Sequence, residues 1–545
     1  MSGLLASIGV LIAAGASAAA ILLPPARPRA IAMLAALALF PILILGDQWH
    51  SAEIVDLRDH PMRFAGLGSL ALALTVSLAV AFRRRPPAFP LAAVAVLPFR
   101  VPLEAGGDTA NLLVPLYLVI AGGAMASAIR DWGLRPAGPV AAGDPPPLPV
   151  AKASSGVVPP TAPPAGVAVQ WLTRILAVVV LLYAVQTLYS PDFSKSLQNV
   201  CFFFVPFSLL FGLLRDVEWS RKLLTWALVV LAVEAVVFVL IGSVEWLTRE
   251  LFWNDQVIRS NDFHTYFRVN SVFWDPNIYG RYLALVIVIA MAALLWVKER
   301  KSFWLLTGLI AVLWIGLVPT FSQSSFAALL GGLAVLAALR WSWRWTLGAV
   351  GVAAVLGVLI VFLVGGVRPN VDTGGRANLV SGGIELFKQR PLWGYGSGSF
   401  PKAYTEHVKS DSPVSVSHTE PITVAAEQGL VGLVLYAALL MIALWTMSTG
   451  LWRRVGGLPP SSLPPAPRSV SSPSQAGTDI GVREEDLLPA HPSHFVARAA
   501  VLAAFVALLI HTMAYAGFYE DPIAWVLLAV GASLSLAACR DTSAA

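Results

Sequence analysis

Charged residues are scarce in this chain of 545 residues: Asp, Glu, Lys and Arg make up 12% of it, and hydrophobic residues 57%. Ordinary soluble domains carry about 25% charged residues, so the composition excludes that class. The two cysteines, Cys201 and Cys539, both lie in apolar runs, so the sequence implies no disulfide framework. The net charge of +6 lies mostly in short loops, and no basic tract is interleaved with aromatic residues. We therefore expect no nucleic-acid partner.

Several motifs of enzyme chemistry are also missing. The chain has no G-x-x-x-x-G-K-[ST] phosphate loop, no H-E-x-x-H, no Cys/His metal spacing and no pair of aspartates at D-x-D spacing. The run GYGSGS (Gly394–Ser399) resembles a phosphate loop but lacks its Lys-Ser/Thr ending, so we interpret it as a turn, with phosphate binding as the alternative. The sequence therefore predicts no metal and no cofactor.

Long apolar runs dominate what is present. About fifteen of them approach the roughly 20 residues that span a bilayer, and continuous runs predict helices rather than alternating strands. We predict an all-α, polytopic membrane protein with about 12–15 transmembrane helices and a large external loop. The predicted spans are 4–23, 29–46, 64–82, 88–103, 110–129, 170–189, 197–214, 223–242, 277–297, 302–319, 323–339, 345–366, 419–449, 498–517 and 523–539.

The orientation of these spans follows from the basic residues, which are in excess on cytoplasmic loops. Placing the basic clusters inside predicts an external N-terminus, a cytoplasmic C-terminus and a multi-pass protein of the inner (plasma) membrane. The segments are an N-terminal set of extra spans (1–87), a pair of spans (88–130), a Pro/Ala-rich cytoplasmic linker (131–169), a transmembrane core (170–366) with an external loop (243–276), a large external catalytic loop (367–417), a transmembrane helix (418–449), a Pro/Ser-rich cytoplasmic linker (450–497) and a C-terminal pair (498–545).

Titratable residues stand where the apolar run from 419 begins. His418 precedes the predicted helix, whereas Glu420, Thr423 and Glu427 follow at spacings that share one helix face. A carboxylate two turns into a membrane is costly and should face the protein interior or a wet cavity. Two interpretations stay open. In the first, these groups take part in a reaction. In the second, His418 is an interfacial cap and Glu427 is a structural hydrogen-bonding group.

Four arginines lie at or near the predicted external face, against the positive-inside bias. They are Arg268, Arg281, Arg376 and Arg390. An arginine at a membrane face is often a snorkelling anchor. Several of them together with a histidine instead indicate phosphate recognition, because a guanidinium binds phosphate oxygens with two parallel hydrogen bonds.

Four segments occur in an order and spacing similar to those of the O-antigen ligase / O-antigen polymerase superfamily, and FYEDPIAWVLLAV resembles that family's last span. The resemblance covers roughly residues 170–539. The segments are RVNSVFWDPNIYGRYLALVI, PTFSQSSFAALLGGLAVL, GGRANLVSGGIELFKQRPLWGYGSGSF and SHTEPITVAAEQGLVGLVLYAALL.

The resemblance implies an all-helical membrane glycosyltransferase of the GT-C type, with a polyprenyl-pyrophosphate-linked glycan as donor. It implies catalytic roles for Arg268, Arg376 and His418. Members often have Ser-Arg where this chain has Ser322-Gln323, so that arginine contact is missing. Its role is either dispensable or met elsewhere, with Arg281 and Arg390 as the candidates. The candidate substrate-binding residues are Glu427, Glu420, Asn277, Arg281 and Arg390.

Elementary chemistry agrees with this resemblance. ATP and nucleotide sugars are cytoplasmic, so transfer of a glycan outside requires a donor already activated on a lipid. Arginines can stabilise the pyrophosphate leaving group, and a histidine can accept the proton of the acceptor hydroxyl near neutral pH. The partners we expect are the lipid-linked donor, a lipid or glycan acceptor and membrane lipids. A ligase and a polymerase share these motifs, so both stay open. A transporter is less favoured because we find no internal repeat.

Overall fold

Long α-helices dominate the computed structural model of this chain, which describes residues 3–105, 108–133, 164–252, 257–258, 261, 267–341, 376–408, 417–451 and 492–544. Within those residues, thirteen helical segments are long and apolar enough to cross a membrane. The predicted class, an all-α polytopic membrane protein, is confirmed.

The first half of the chain forms ten α-helices and one short hairpin. Their bounds are α1 Gly3–Leu22, α2 Arg27–Asp47, α3 Ala52–Asp59, α4 Pro61–Arg84, α5 Ala88–Val96, β1 Val101–Ala105, β2 Asp108–Leu112, α6 Val114–Asp131, α7 Pro164–Thr187, α8 Phe193–Asn199, α9 Val205–Arg215 and α10 Arg221–Thr248. A π-helical turn, Val200–Phe204, joins α8 to α9. The two strands pair antiparallel, with Val101 opposite Leu112.

The second half continues with eight helices in the described residues. Their bounds are α11 Pro276–Trp296, α12 Arg300–Leu317, α13 Gln323–Arg340, α14 Arg376–Gln389, α15 Phe400–Val408, α16 Glu420–Ser448, α17 Pro492–Thr512 and α18 Pro522–Ala544. A 3₁₀ turn, Val318–Thr320, extends α12.

Proline begins many of these helices. Its missing N–H costs nothing in the first turn, where that group has no intrahelical partner, and its fixed φ suits the helix. Several helices also have a polar N-cap residue. At the start of α10, the Ser220 hydroxyl accepts a hydrogen bond from the Leu223 N–H at 3.3 Å. Prolines at a first helical position include Pro61, Pro276 and Pro522.

The prediction of a continuous span over 88–103 is wrong. Helix α5 ends at Val96 after nine residues, and β1 follows. Pro98 explains the end, because in a continuing helix its ring would clash with the Val94 carbonyl four residues earlier. Beyond the helix, Phe99 packs edge-on against Phe238 of α10, with ring centroids 5.8 Å apart. The predicted span 345–366 lies outside the described residues, as do most of both proline-rich linkers.

The helices pack as one bundle, and we name its ends by two residues. The end that carries His418 is called the His418 end, and the other is called the Arg29 end. Helix α17 packs against α11 and α13, whereas α16 packs against α7 and α14. Helix α1 packs against α7 and α9, so the N-terminal helices are part of the same core.

Candidate functional site at the His418 end

Arg268 lies where the start of α11 meets the 3₁₀ turn after α12. Its side chain is half-buried, its Nε donates a hydrogen bond to the Thr320 carbonyl at 2.9 Å, and its Nη2 donates to the Asn277 side-chain oxygen at 3.1 Å. Its backbone exchanges two hydrogen bonds with the Asn261 side chain, each of 3.0 Å. Two predicted site residues, Arg268 and Asn277, are therefore brought together and held in place.

A buried carboxylate fixes the chain next to Arg268. Glu245 of α10 accepts hydrogen bonds from the N–H groups of Asn270 and Ser271, at 3.1 and 2.7 Å. Ser271 has a φ of +52°, a left-handed conformation that a residue other than glycine adopts only when its surroundings hold it. Sequence reasoning missed Glu245, although an acidic residue at the end of an apolar span was the available signal.

Arg281 lies one turn below Asn277 on α11 and is buried. Its Nη2 is 3.1 Å from the Asp521 carboxylate, and only 5% and 3% of the two side chains are exposed. Asp521 also caps α18, because its other oxygen accepts a hydrogen bond from the Ile523 N–H at 3.0 Å. His511 of α17, fully buried, has Arg281 and the Asn277 backbone as electrostatic neighbours. Asp521 and His511 were not predicted as site residues.

The connection between α17 and α18 joins this cluster to the start of α16. Glu420 is buried and accepts hydrogen bonds from the N–H groups of Gly517 and Phe518, at 2.6 and 3.1 Å. Asp521, four residues after Gly517, pairs with Arg281. A single short connection therefore holds both α11 and α16.

Helix α16 is interrupted at Gly429, where φ is +65° and ψ is −162°. The glycine-rich run after α14 lies beside this break and supplies hydrogen bonds to its backbone. Interrupted backbone is tolerated at membrane depth only where protein covers it. The bonds run from Leu430 N–H to the Pro391 carbonyl at 2.7 Å, from Val431 N–H to the Leu392 carbonyl at 3.3 Å, from Tyr395 N–H to the Ala426 carbonyl at 3.1 Å and from Gly396 N–H to the Glu427 carbonyl at 2.8 Å.

The Glu427 carboxylate binds the other end of the glycine-rich run Gly394–Ser399. One oxygen accepts a hydrogen bond from the Gly398 N–H at 2.9 Å, and the other accepts from the Phe400 N–H, at the start of α15, at 3.0 Å. Residues 394–400 are buried, so GYGSGS is a packed structural segment. These contacts match the interpretation of Glu427 as a structural hydrogen-bonding group.

His418 is half-buried just before α16 and has a φ of +63°. Its neighbour Ser417 is fully buried, and the Ser417 hydroxyl lies 2.8 Å from that of Thr423. A left-handed histidine costs roughly 1–3 kcal/mol, and such strain clusters at binding and catalytic sites.

The other predicted arginines have different settings. Arg376 begins α14, and its side chain lies outside the described residues. Arg390 is exposed, with its guanidinium 4.5 Å from the centre of the Tyr395 ring. Gln323, at the position of the missing arginine, is exposed in the first turn of α13.

The remaining acidic group of this region is Glu520, next to Asp521. Burial raises the pKa of its carboxyl, whereas Lys195 and Arg100 act to lower it. The Asn199 amide is 3.5 Å from one of its oxygens. Over the residues that the structure describes, no three His, Cys, Asp or Glu side chains come together as a set of metal ligands.

Comparison with known families finds one match within this chain. Residues 308–437 match the family model described as O-antigen ligase. Residues 308–437 are thus similar to the O-antigen ligase family. The match confirms the resemblance to the O-antigen ligase superfamily and supports a ligase-like or polymerase-like membrane enzyme. A search of curated proteins gives no match.

The region that matches the O-antigen ligase family contains only part of the candidate site. Thr320, His418 and Glu427 lie inside residues 308–437, whereas Arg268 and Asp521 lie before and after them. Elements outside the matched region therefore complete the arrangement at the His418 end.

Proposed function

We propose that this chain transfers a glycan from a polyprenyl-pyrophosphate carrier to an acceptor hydroxyl on the external face of the inner (plasma) membrane, without a metal ion. The setting of Arg268 carries the proposal. Its half-buried guanidinium is oriented by Asn277 and by the Thr320 carbonyl of the matched domain. A guanidinium at the membrane boundary suits a lipid-linked pyrophosphate, because its planar fork matches phosphate oxygens.

In the mechanism we propose, Arg268 and Arg376 bind the pyrophosphate and His418 acts as the general base. His418 takes the proton of the acceptor hydroxyl as its oxygen attacks the anomeric carbon. The bond from that carbon to the pyrophosphate oxygen breaks, and its electron pair leaves with the polyprenyl pyrophosphate. Direct attack of this kind inverts the anomeric centre.

The other predicted substrate-binding residues have supporting roles in this proposal. Asn277 orients Arg268, and Arg390 lies exposed where an acceptor would approach. Glu420 and Glu427 fix the backbone at 517–518 and at 398–400 against the first turns of α16, so they position the site through the chain. Arg281 is paired with Asp521, so it joins α11 to the start of α18.

The test is glycan transfer by the purified full-length protein in liposomes, with a polyprenyl-pyrophosphate oligosaccharide, EDTA and no ATP. We expect His418→Ala to lower the rate by about 100-fold or more, the usual range for loss of a general base. The matched control is His407→Ala, because His407 is an exposed histidine on α15. Arg268→Gln should likewise lower transfer, with Arg249→Gln of the exposed α10 end as its control.

The product separates the possible activities. Glycan on a non-polyprenyl acceptor means ligase, and a ladder on the polyprenyl carrier means polymerase. Donor that is bound and moved across the membrane without any product would overturn the proposal in favour of transport. Wild-type rates in both His418→Ala and Arg268→Gln would leave an enzyme with a different site.

A further inference from the structure

A cavity of about 830 Å³ lies at the Arg29 end, between the N-terminal helices and the core. Helices α4, α5 and α6 form one side of it, and the corner between α9 and α10 forms the other. Its volume is within the range of about 300–1,000 Å³ that is typical of ligand pockets. The proposed glycan transfer takes place at the His418 end, so that reaction does not account for this cavity.

The cavity has an apolar floor and a charged rim. Phe82 of α4 and Phe89 of α5 pack edge to face, with ring centroids 5.5 Å apart, and Leu213 of α9 also lines the floor. Along α6 the lining extends from Gly123 to Arg130, which is about 10 Å of helix at 1.5 Å per residue. The cavity therefore offers an apolar part and a polar part to one ligand, as an amphiphile requires.

Arg130 places an exposed guanidinium at the rim. Its side chain is 67% exposed, its Nη2 donates a hydrogen bond to the Ser127 hydroxyl at 3.1 Å, and its Nε lies 3.6 Å from the Asp131 carboxylate. A guanidinium has five N–H donors, so Arg130 can also bind phosphate oxygens. Arg83, half-buried at the end of α4, is the second guanidinium of the lining.

The charges around the rim favour an anionic ligand. Two carboxylates also line the cavity, but one of them, Asp216, is already paired with two guanidinium groups. Among the described residues of the rim and their ion-pair partners, four arginines stand against three acidic residues. They are Arg29, Arg83, Arg130 and Arg215, and Asp131, Asp216 and Glu218. One phosphate charge balances this excess, whereas a zwitterionic headgroup brings an ammonium group of its own.

The position of the cavity favours a membrane lipid as the ligand. Basic residues are in excess on the cytoplasmic side of membrane spans, which predicts the cytoplasmic leaflet for the Arg29 end. That leaflet carries anionic lipids, and basic pockets between transmembrane helices on this side bind their headgroups. We propose that the cavity binds one anionic phospholipid, with its phosphate at Arg130 and Arg83 and an acyl chain along the apolar floor. The bound lipid joins α4, α5 and α6 to α9 and α10.

The test is a titration of the purified full-length protein in detergent with dioleoyl phosphatidylglycerol, followed by native mass spectrometry. We expect one lipid per chain, bound at least about tenfold more tightly than dioleoyl phosphatidylcholine. Arg130→Gln should weaken this binding about tenfold or more, the usual effect of losing a hydrogen bond to a charged group. Arg300→Gln, an exposed change at the start of α12 and outside the lining, is the matched control and should bind like the wild type.

A second variant tests the floor without changing any charge. Ala126 is 9% exposed and lines the cavity, so Ala126→Leu fills the space of the acyl chain and should also weaken binding, while the unfolding midpoint without lipid stays or rises. If that midpoint falls, Arg130→Gln decides alone, because its side chain is exposed.

Three results would overturn the inference. Equal affinity for the two lipids would remove the role of charge, and wild-type binding in Arg130→Gln would place the lipid elsewhere. Glycerol 3-phosphate bound as tightly as the phospholipid would mean a soluble ligand. Glycan transfer is not measured in this experiment, so each of these results leaves the proposed function intact.

Discussion

At the scale of single residues, the buried carboxylates of the His418 end bind backbone N–H groups. Glu245, Glu420 and Glu427 each accept two such hydrogen bonds. Each carboxylate holds a segment that has irregular backbone or contains a helix start. Acidic residues in apolar runs can thus fix the backbone that carries the proposed site residues.

Replacing Glu427 tests this role. Glu427→Gln keeps one acceptor oxygen and leaves either the Gly398 or the Phe400 N–H poorly paired, so we expect a loss of about 1–3 kcal/mol in the free energy of unfolding. The measurement is thermal or denaturant unfolding in detergent. Glu406→Gln, an exposed change on α15, should have little effect. Equal stability of the Glu427 variant and the control would contradict the structural role.

At the scale of elements, the interruption of α16 and the glycine-rich run depend on each other. Gly394 and Gly429 both have a φ of +65°, and a Cβ on either would lie within 2.4 Å of a backbone oxygen across the contact. Only glycine allows so close an approach with a left-handed backbone. The two segments therefore form one unit that places the start of α16, and His418 with it.

Gly394→Ala should disrupt this unit. A left-handed alanine costs roughly 1–3 kcal/mol, and the contact with the Glu427 carbonyl adds to that cost. We expect a lower unfolding midpoint together with reduced glycan transfer. Gly308→Ala on α12 is the control, since its added Cβ meets nothing within 4 Å, and it should be neutral or slightly stabilising. If Gly394→Ala matches this control in both readouts, the packed contact does not hold the site.

At the scale of the whole molecule, the N-terminal helices are tied to the core at the Arg29 end. Arg29 of α2 is fully buried and forms an ion pair with Asp216, and its Nη2 donates a hydrogen bond to the Gly212 carbonyl at 3.2 Å. Arg215 reaches back to the Ile21 carbonyl at 2.8 Å. Helices α1 and α2 are therefore integral to the bundle.

A double-mutant cycle measures the coupling energy between Arg29 and Asp216. Arg29→Met removes one partner of a buried pair, a change that costs about 3–5 kcal/mol when the other charge is left alone. In this variant Asp216 still has the Arg215 guanidinium 3.2 Å away, and it is partly exposed. We therefore expect a smaller loss, about 2 kcal/mol, in the free energy of unfolding. Adding Asp216→Asn should recover part of the loss through a favourable coupling energy. Strictly additive effects would show that the pair does not link the helices.

The sequence predicts the membrane spans more completely than it predicts the contacts of the site. Apolar length alone fixes a membrane helix, because every backbone group must be paired within its own segment. The span predicted over 88–103 failed because Pro98 broke a run whose composition still looked continuous. In the candidate site, Arg268 and Asn277 come from one sequence motif, and the structure shows them hydrogen-bonded to each other.

By itself, the sequence determined the all-α membrane class, most spans and the O-antigen ligase resemblance, since these depend on local composition and short motifs. Only the tertiary structure decided that Asp521 pairs with Arg281, that His511 lies beside them and that Glu427 holds a loop 27 residues away in the chain. Those contacts join α11, α16, α17 and α18. Their geometry follows from how the helices pack, which no local pattern specifies.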